Sequence, residues 1–377
     1  MLVEKKVAFY GYYGMDNFGD DLFVLTAVLA ARKIWNQKSI YVIGPPIDGV
    51  DATYIYLPFL PKRYYNSYGF FGKLFRLLTL LYSGLIVDRL VFAGGSMFTS
   101  GRRNALDIFR AVFKNRVKIS ALGVSVGPFA SDNDKEQVFK RLSYFDYIAT
   151  RDEKSYERLI KSNKPFKKLV PSADLVGVLP SLIGKQPSRL RGEELRVGFS
   201  PCNILGNPQK TIQYCSIFIE TIECLIERRE RDFVVYLICL NNHLLMGDQD
   251  LITYVRERLE AIGVTVEVVD YQQTGLVETF SLIRELDFYV SVRLHGAISA
   301  FVQDTDFFLF EYHEKCTEFL RKIGAVYLEE KLIAAGDLAR IIENRVENGL
   351  GRPSNSAYLK SSEDAFIQHV NLFREDG

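Results

Sequence analysis

The stretch Asp287-Phe288-Tyr289-Val290-Ser291-Val292-Arg293-Leu294-His295-Gly296-Ala297-Ile298 sets an arginine two positions from a histidine, with two small residues after them. A guanidinium can grip a carboxylate or phosphate through two parallel hydrogen bonds. An imidazole can move a proton near neutral pH. Gly296 and Ala297 allow a ligand close to the backbone. The competing reading of Arg293 and His295 is a plain helix start with nothing to bind.

Other candidates are spread along the chain. Gly11-Tyr12-Tyr13-Gly14-Met15-Asp16-Asn17-Phe18-Gly19-Asp20-Asp21 is a glycine-punctuated loop. It is neither G-x-G-x-x-G nor a Walker A sequence, so it does not point to NAD or ATP. It can cradle a polar ligand while Asp20 takes a hydroxyl proton; alternatively Asp20 and Asp21 simply suit the first turn of a helix. Gly94-Gly95 closes an apolar run and reads either as backbone NH groups facing a ligand or as a tight turn. Arg151 stands just before Asp152 and Glu153, as a ligand contact or as an ion-pair partner of Asp152, Glu153 or a neighbouring strand. Tyr312 and Lys315 lie just beyond another apolar run. Asn241-Asn242-His243, with Asp248 and Asp250 behind, reads as a polar loop and helix cap ahead of a metal site.

Positioning these residues requires strands that end where the chemistry begins. Phe288 to Val292 is β-branched and aromatic, and Leu294 to Val302 has helical apolar spacing. The pattern predicts strands at Val7–Tyr10, Ser39–Ile43, Tyr54–Leu57, Arg89–Ala93, Lys118–Val126 and Asp146–Thr150. After Pro180–Glu194, a Pro-, Gly- and Ser-rich stretch read as a linker, strands resume at Leu195–Ser200, Phe233–Leu240, Thr265–Val269, Phe288–Val292 and Phe307–Phe310. Helical patterns separate them. The fold class is therefore α/β, with two Rossmann-like domains, residues 1–188 and 189–377, facing across a cleft. In open parallel sheets, ligands bind at the carboxyl edge of the strands, where Arg293, His295 and Arg151 fall. Two such domains suit a two-substrate transfer, with one substrate on each and closure excluding water.

Composition narrows the classes. The chain has 377 residues, 48% hydrophobic and 25% charged, with a net charge of +1, which gives no reason to expect nucleic acid as a partner. Five cysteines, none in a C-x-x-C pair, fit reduced thiols and a cytoplasmic location. Residues 1–6 lead straight toward a strand without a long apolar region, which argues against a secretory signal. Leu74 to Val87 is strongly apolar but broken by Arg76 and too short to span a bilayer. It reads as a core helix, or as an interfacial helix holding the protein at the inner face of a membrane, with Lys62, Arg63, Lys73 and Arg76 near the headgroups.

Taken in order, Gly11-Tyr12-Tyr13-Gly14 with Asn17-Phe18-Gly19-Asp20, the Gly94-Gly95 turn, Gly123-Val124-Ser125-Val126-Gly127-Pro128, Arg151-Asp152-Glu153-x-Ser155, Ser291-x-Arg293-Leu294-His295-Gly296 and Tyr312-x-x-Lys315 resemble the polysaccharide pyruvyl transferase family. The resemblance spans about residues 7 to 327. Asp21 stands where the family often has Glu, and Ser96 where it often has a third glycine.

The resemblance implies a fold like the two-domain GT-B glycosyltransferases. It also implies phosphoenolpyruvate as co-substrate, a sugar diol of a bacterial surface glycan as acceptor, and a cyclic pyruvate ketal with phosphate as products. It implies no cofactor and no metal. On that reading His295 shuttles the proton, Arg293 with Arg151 and Lys315 binds the donor's anionic groups, and Asp20 faces the acceptor. Gly14, Asn17, Gly19, Gly95, Gly296 and Tyr312 complete the substrate contacts. The rival readings are a sugar-nucleotide-dependent glycosyltransferase and a non-catalytic partner in glycan assembly. The acceptor sugar, its lipid-linked or free state and the oligomeric state are open at this level. Pro58–Phe71, rich in aromatics, is the expected place for acceptor choice.

Overall fold

The computed structural model describes residues 5–57, 61–67, 69–102, 104–114, 116–184, 194–228, 233–243, 246–325, 333–348 and 353–375. The chain divides into two compact units. The first comprises Met1–Met15, Asp20–Ile183 and Ala357–Gly377, and the second Asp16–Gly19 and Gly184–Ser356.

The strands of the first unit are β1 (Val7–Tyr10), β2 (Ile40–Ile43), β3 (Thr53–Ile55), β4 (Arg89–Ala93), β5 (Lys118–Val124), β6 (Tyr147–Thr150) and β7 (Leu169–Pro171). They form one sheet in the order β3-β2-β1-β4-β5-β6-β7, with every pairing parallel. The second unit carries β8 (Leu195–Ser200), β9 (Phe233–Cys239), β10 (Thr265–Asp270), β11 (Phe288–Ser291) and β12 (Asp306–Leu309). These run parallel in the order β10-β9-β8-β11-β12.

A parallel sheet covered by helices on both faces needs strands that are apolar on both sides. The inner strands β4, β6 and β11 meet that demand, buried at every residue, and so does the edge strand β12. At the edge of the second sheet, β10 alternates less strictly and leaves Val268 exposed. Each unit has its own apolar core. Phe92, Phe98, Phe109, Phe139 and Phe145 anchor the first, and Phe199, Phe218, Leu237, Val290 and Leu338 the second.

The two parallel α/β halves predicted from the strand rhythm are present. Three differences stand out, the first two with local causes. The helical stretch between β10 and β11 is two pieces, Tyr271–Thr274 and Leu276–Glu285, because Gly275 sits between them at φ +105°. The strand β7 is short and only half-buried, so it carries no strong apolar signal. The last helix, Ser356–Glu375, which the sequence reading groups with the second half, packs in the first unit. There Phe366 accepts a hydrogen bond from Trp35 Nε1 at 2.9 Å, and Ala365 from the Tyr147 hydroxyl at 3.0 Å.

Of the linker read at Pro180–Glu194, residues 180–183 end a short helix and 185–193 lie outside the described residues. Residues 58–60 and 68 of the expected acceptor loop also lie outside them. Leu74–Val87 falls in the helix Phe70–Ile86, and among the described residues no helix is long and apolar enough to cross a membrane.

Candidate functional site

In the second unit β11 lies between β8 and β12, and their ends are level. Val292 N–H donates to Ser200 O at 2.9 Å, and Phe310 N–H donates to Ser291 O at 3.0 Å. The chain leaves β11 with Ser291 Oγ donating to Arg293 O at 2.7 Å, and Arg293 becomes the residue that precedes the helix Leu294–Val302. This is the predicted strand-to-helix junction, with Arg293 and His295 at the carboxyl edge.

The guanidinium of Arg293 already has a partner. Its Nε and Nη2 both donate to the Asp248 carboxylate, Nη2 at 2.6 Å. Asp248 Oδ1 also accepts from Asn203 N–H at 2.9 Å. The Asp248 side chain is fully buried and that of Arg293 only 15% exposed. The two-pronged grip expected for an anion is thus made to Asp248 by Nε and Nη2. Burial opposes the arginine's charge, but Asp248, with Cys202 and Tyr312 adding to it, holds the Arg293 pKa above its ordinary value. Asp248 precedes a helix without capping it, because its oxygens are spent on Arg293 and Asn203. From the sequence Asp248 reads as a helix cap, because a guanidinium 45 positions away leaves no local signature.

Three more side chains surround this pair. Burial pushes the Cys202 thiol up, partly offset by Arg293 and Lys315 and by its hydrogen bond with Tyr312. Burial likewise raises the Tyr312 phenol. Lys315 Nζ stands 6.0 Å from the Tyr312 ring centroid. The structure therefore gathers Arg293, Tyr312 and Lys315 from the ends of β11 and β12, as expected, and adds Cys202 and Asp248 from the ends of β8 and β9. The five cysteines are free thiols.

The segment Asp16–Gly19 belongs to this unit. Phe18 N–H donates to Leu240 O at 3.0 Å and Asn242 N–H to Asp16 O at 2.8 Å, so the segment is pinned to the end of β9. Asn17 bridges Asn241 and accepts from Gly19 N–H at 3.1 Å. Gly19 lies against the His295 ring so closely that a methyl group there would overlap Nδ1 and Cγ. Two candidates far apart in sequence, Gly19 and His295, are thereby packed together. Gly296 also has a packing task. It is buried, and a Cβ on it would sit 2.5 Å from Ser291 Oγ and 2.8 Å from the Tyr289 hydroxyl. Its missing side chain admits the preceding strand β11.

The remaining candidates lie in the first unit. Gly14 takes φ +67°, and its N–H donates to buried Asp21 at 2.7 Å; that bond gives Asp21 a structural task. Asp20 is half-buried in the first turn of the helix Phe18–Lys33. Gly95 takes φ +83° in an uncrowded turn, and its carbonyl accepts from Ser125 N–H at 3.0 Å. Arg151 is buried: Nε donates to Ser125 Oγ at 2.6 Å, Nη1 to Asp174 at 3.2 Å and Nη2 to Ser96 Oγ at 3.0 Å. Of the ion-pair partners left open by the sequence, the structure shows the one beyond a neighbouring strand: Asp174, three residues past the end of β7. Asp152 instead caps the helix Glu153–Ile160 by accepting from Ser155 N–H at 2.8 Å. The Ser96 that replaces a glycine is thus held by Arg151. Asp174 gave no warning in the sequence. Among the described residues no group of three His, Cys, Asp or Glu could hold a metal ion.

Two parallel α/β units, with cationic and imidazole side chains at the carboxyl edge of the second sheet, define a GT-B-type fold. Solved structures agree on that architecture. A UDP-GlcNAc 2-epimerase from Methanocaldococcus jannaschii matches with a TM-score of 0.63 at 9% identity, over 98% of each chain. MnaA of S. aureus, solved with UDP, matches with a TM-score of 0.61 at 12% identity, over 99% of this chain and 96% of its own. UDP-GlcNAc 2-epimerase from Neisseria meningitidis, bound to UDP-GlcNAc, gives 0.57 at 12% identity over 98% of each chain. At such identities the likeness is one of fold alone. Curated proteins offer no match. The chain belongs to the polysaccharide pyruvyl transferase family, whose model matches residues 17–314. It is thereby a member of a transferase family whose reaction is pyruvyl transfer onto polysaccharide.

Proposed function

We propose that the protein transfers pyruvate from phosphoenolpyruvate to two hydroxyls of one sugar in a bacterial surface polysaccharide or its precursor. The products are a cyclic ketal and phosphate. The observation that carries this reading is the second-unit cluster in which the His295 ring packs on Gly19, in a chain that the family matches from residue 17 onward.

The chemistry balances as follows. A proton from His295 adds to the donor's methylene carbon, making it a methyl group and leaving the neighbouring carbon electrophilic. A sugar hydroxyl oxygen bonds to that carbon and gives up its proton, with Asp20 as the acceptor. The carbon–oxygen bond to phosphate then breaks. The second hydroxyl closes the ring, and its proton leaves with the phosphate. Arg293, through Nη1, and Lys315 stabilise the donor's negative charge, which grows on the leaving oxygen. Asp248 positions Arg293, and Arg151 positions the Ser96 turn. Gly14, Asn17 and Gly95 shape the acceptor side, and Tyr312 supports Lys315.

The test is phosphate release from phosphoenolpyruvate across a panel of lipid-linked and free glycans. At least one acceptor is expected to release phosphate stoichiometrically with ketal formed. His295→Ala is expected to lower turnover at saturating phosphoenolpyruvate by about 10²–10⁴-fold, the usual contribution of a positioned proton donor. Wild-type turnover in that variant would remove the shuttle. Thermal stabilisation by UDP, with none by phosphoenolpyruvate, would transfer the reading to a sugar-nucleotide enzyme.

A further inference from the structure

The helix Phe70–Ile86 is apolar on both faces. Its inner face, Gly72, Thr79, Leu80, Ser83 and Gly84, is buried in the first unit. Its outer face follows helical spacing through Phe71, Phe75, Leu78, Tyr82 and Leu85. Phe70 is 74% exposed, Phe71 65% and Leu85 62%, and Leu78 and Tyr82 are exposed too. A ridge of large apolar side chains on a helix already packed on its other side is not explained by the core.

Charge says what covers it. From Lys62 to Val87 the chain has no Asp or Glu, whereas Lys62, Arg63, Lys73 and Arg76 are basic. Lys62 and Lys73 are exposed at the end carrying Phe70 and Phe71. At the other end the Arg116 guanidinium donates to the carbonyls of Gly84 and Leu85. The ridge is therefore bordered by cations at both ends. A second copy of the chain meeting this face about a two-fold axis would set the same cations against each other. An anionic bilayer surface instead offers acyl chains to the aromatics and headgroups to the lysines and arginine. The helix has 17 residues, which gives a length of roughly 25 Å, short of the ~30 Å hydrocarbon thickness. It can lie in the interface but does not span it.

We infer that the outer face of the helix Phe70–Ile86 docks the protein on an anionic lipid surface. This does not depend on the donor or on the sugar that accepts the pyruvyl group.

The experiment is flotation of the full chain with vesicles of phosphatidylcholine alone and of phosphatidylcholine mixed with phosphatidylglycerol. The protein is expected to float with the mixed vesicles and to be released by salt. The double variant Phe70→Ser/Phe71→Ser should bind about tenfold more weakly, and Lys73→Glu should weaken binding only to the mixed vesicles. These side chains are exposed, so an unchanged thermal melt is the folding control. Trp35, the single tryptophan, is buried, so Phe71→Trp adds a reporter whose emission should shift to the blue on the mixed vesicles. No flotation, flotation indifferent to phosphatidylglycerol, or a self-association that the double variant abolishes while vesicle binding stays unchanged would each overturn the inference.

Discussion

At the scale of single residues, the closest constraint on the candidate site is the contact of Gly19 with the His295 ring. Alanine is the better helix former by about 1 kcal/mol, so Gly19→Ala in the first turn of the helix Phe18–Lys33 would ordinarily stabilise. Here the added methyl must displace the imidazole. Gly19→Ala is expected to lower phosphate release at least tenfold while barely moving the thermal midpoint. In a four-variant kinetic cycle, adding Gly19→Ala to His295→Ala should cost nothing more, because both changes act on one ring. Independent, multiplying losses would contradict it. Arg293 makes a second point at this scale. A buried guanidinium paired with a carboxylate is worth little as net charge, and leaving either member alone costs several kcal/mol. On the proposed reading its value to the site is direction, since Asp248 holds two of its nitrogens and leaves Nη1 for the donor.

At the scale of elements, the site depends on how closely the helix Leu294–Val302 approaches its own strand. Gly296 permits that approach, since Ser291 Oγ, the Tyr289 hydroxyl and Leu240 Cδ1 all crowd the place of a Cβ, the last at 3.1 Å. Tyr289 and Ser200 hydroxyls are hydrogen-bonded to each other beneath, so the strand side has little room to yield. Gly296→Ala should therefore cost about 1–3 kcal/mol by overpacking, read as a lower urea midpoint with an unchanged slope. A midpoint equal to wild type would mean that the helix has slack. The segment Asp16–Gly19 shows the same dependence on another element. Its backbone is tied to the end of β9 by hydrogen bonds that no property of the loop itself demands.

At the scale of the whole molecule, the C-terminal helix Ser356–Glu375 completes the first unit, and its His369 carries a pH signature. The ring is fully buried beside Trp35 and Tyr147, with centroids 4.7 and 5.2 Å away. Burial, with Arg89 and Lys168 adding to it, lowers its pKa to about 3. In the unfolded chain the value is about 6.5. Between those values the unfolded state binds the extra proton, so stability is fully present above pH 6.5 and falls as the pH drops toward 3. From pH 6.5 to 5 the loss is roughly 2 kcal/mol. Denaturant titrations at those two pH values should show it, and His369→Phe should flatten the dependence. An equally steep fall in the variant would assign it to another group.

The strand rhythm, the two α/β halves and the junction at Arg293 and His295 were legible because buried parallel strands are apolar on both sides and their ends are marked locally. Those are properties of neighbours in the chain. The family likeness was legible for the same reason, since its motifs are short. The partners were not legible. Asp248 for Arg293, Asp174 for Arg151, Gly19 for His295 and the return of the last helix to the first unit join positions distant along the chain. Periodicity and propensity report on a few residues at a time, whereas a guanidinium's choice of carboxylate depends on which strand ends come level. That was settled only when the sheets formed.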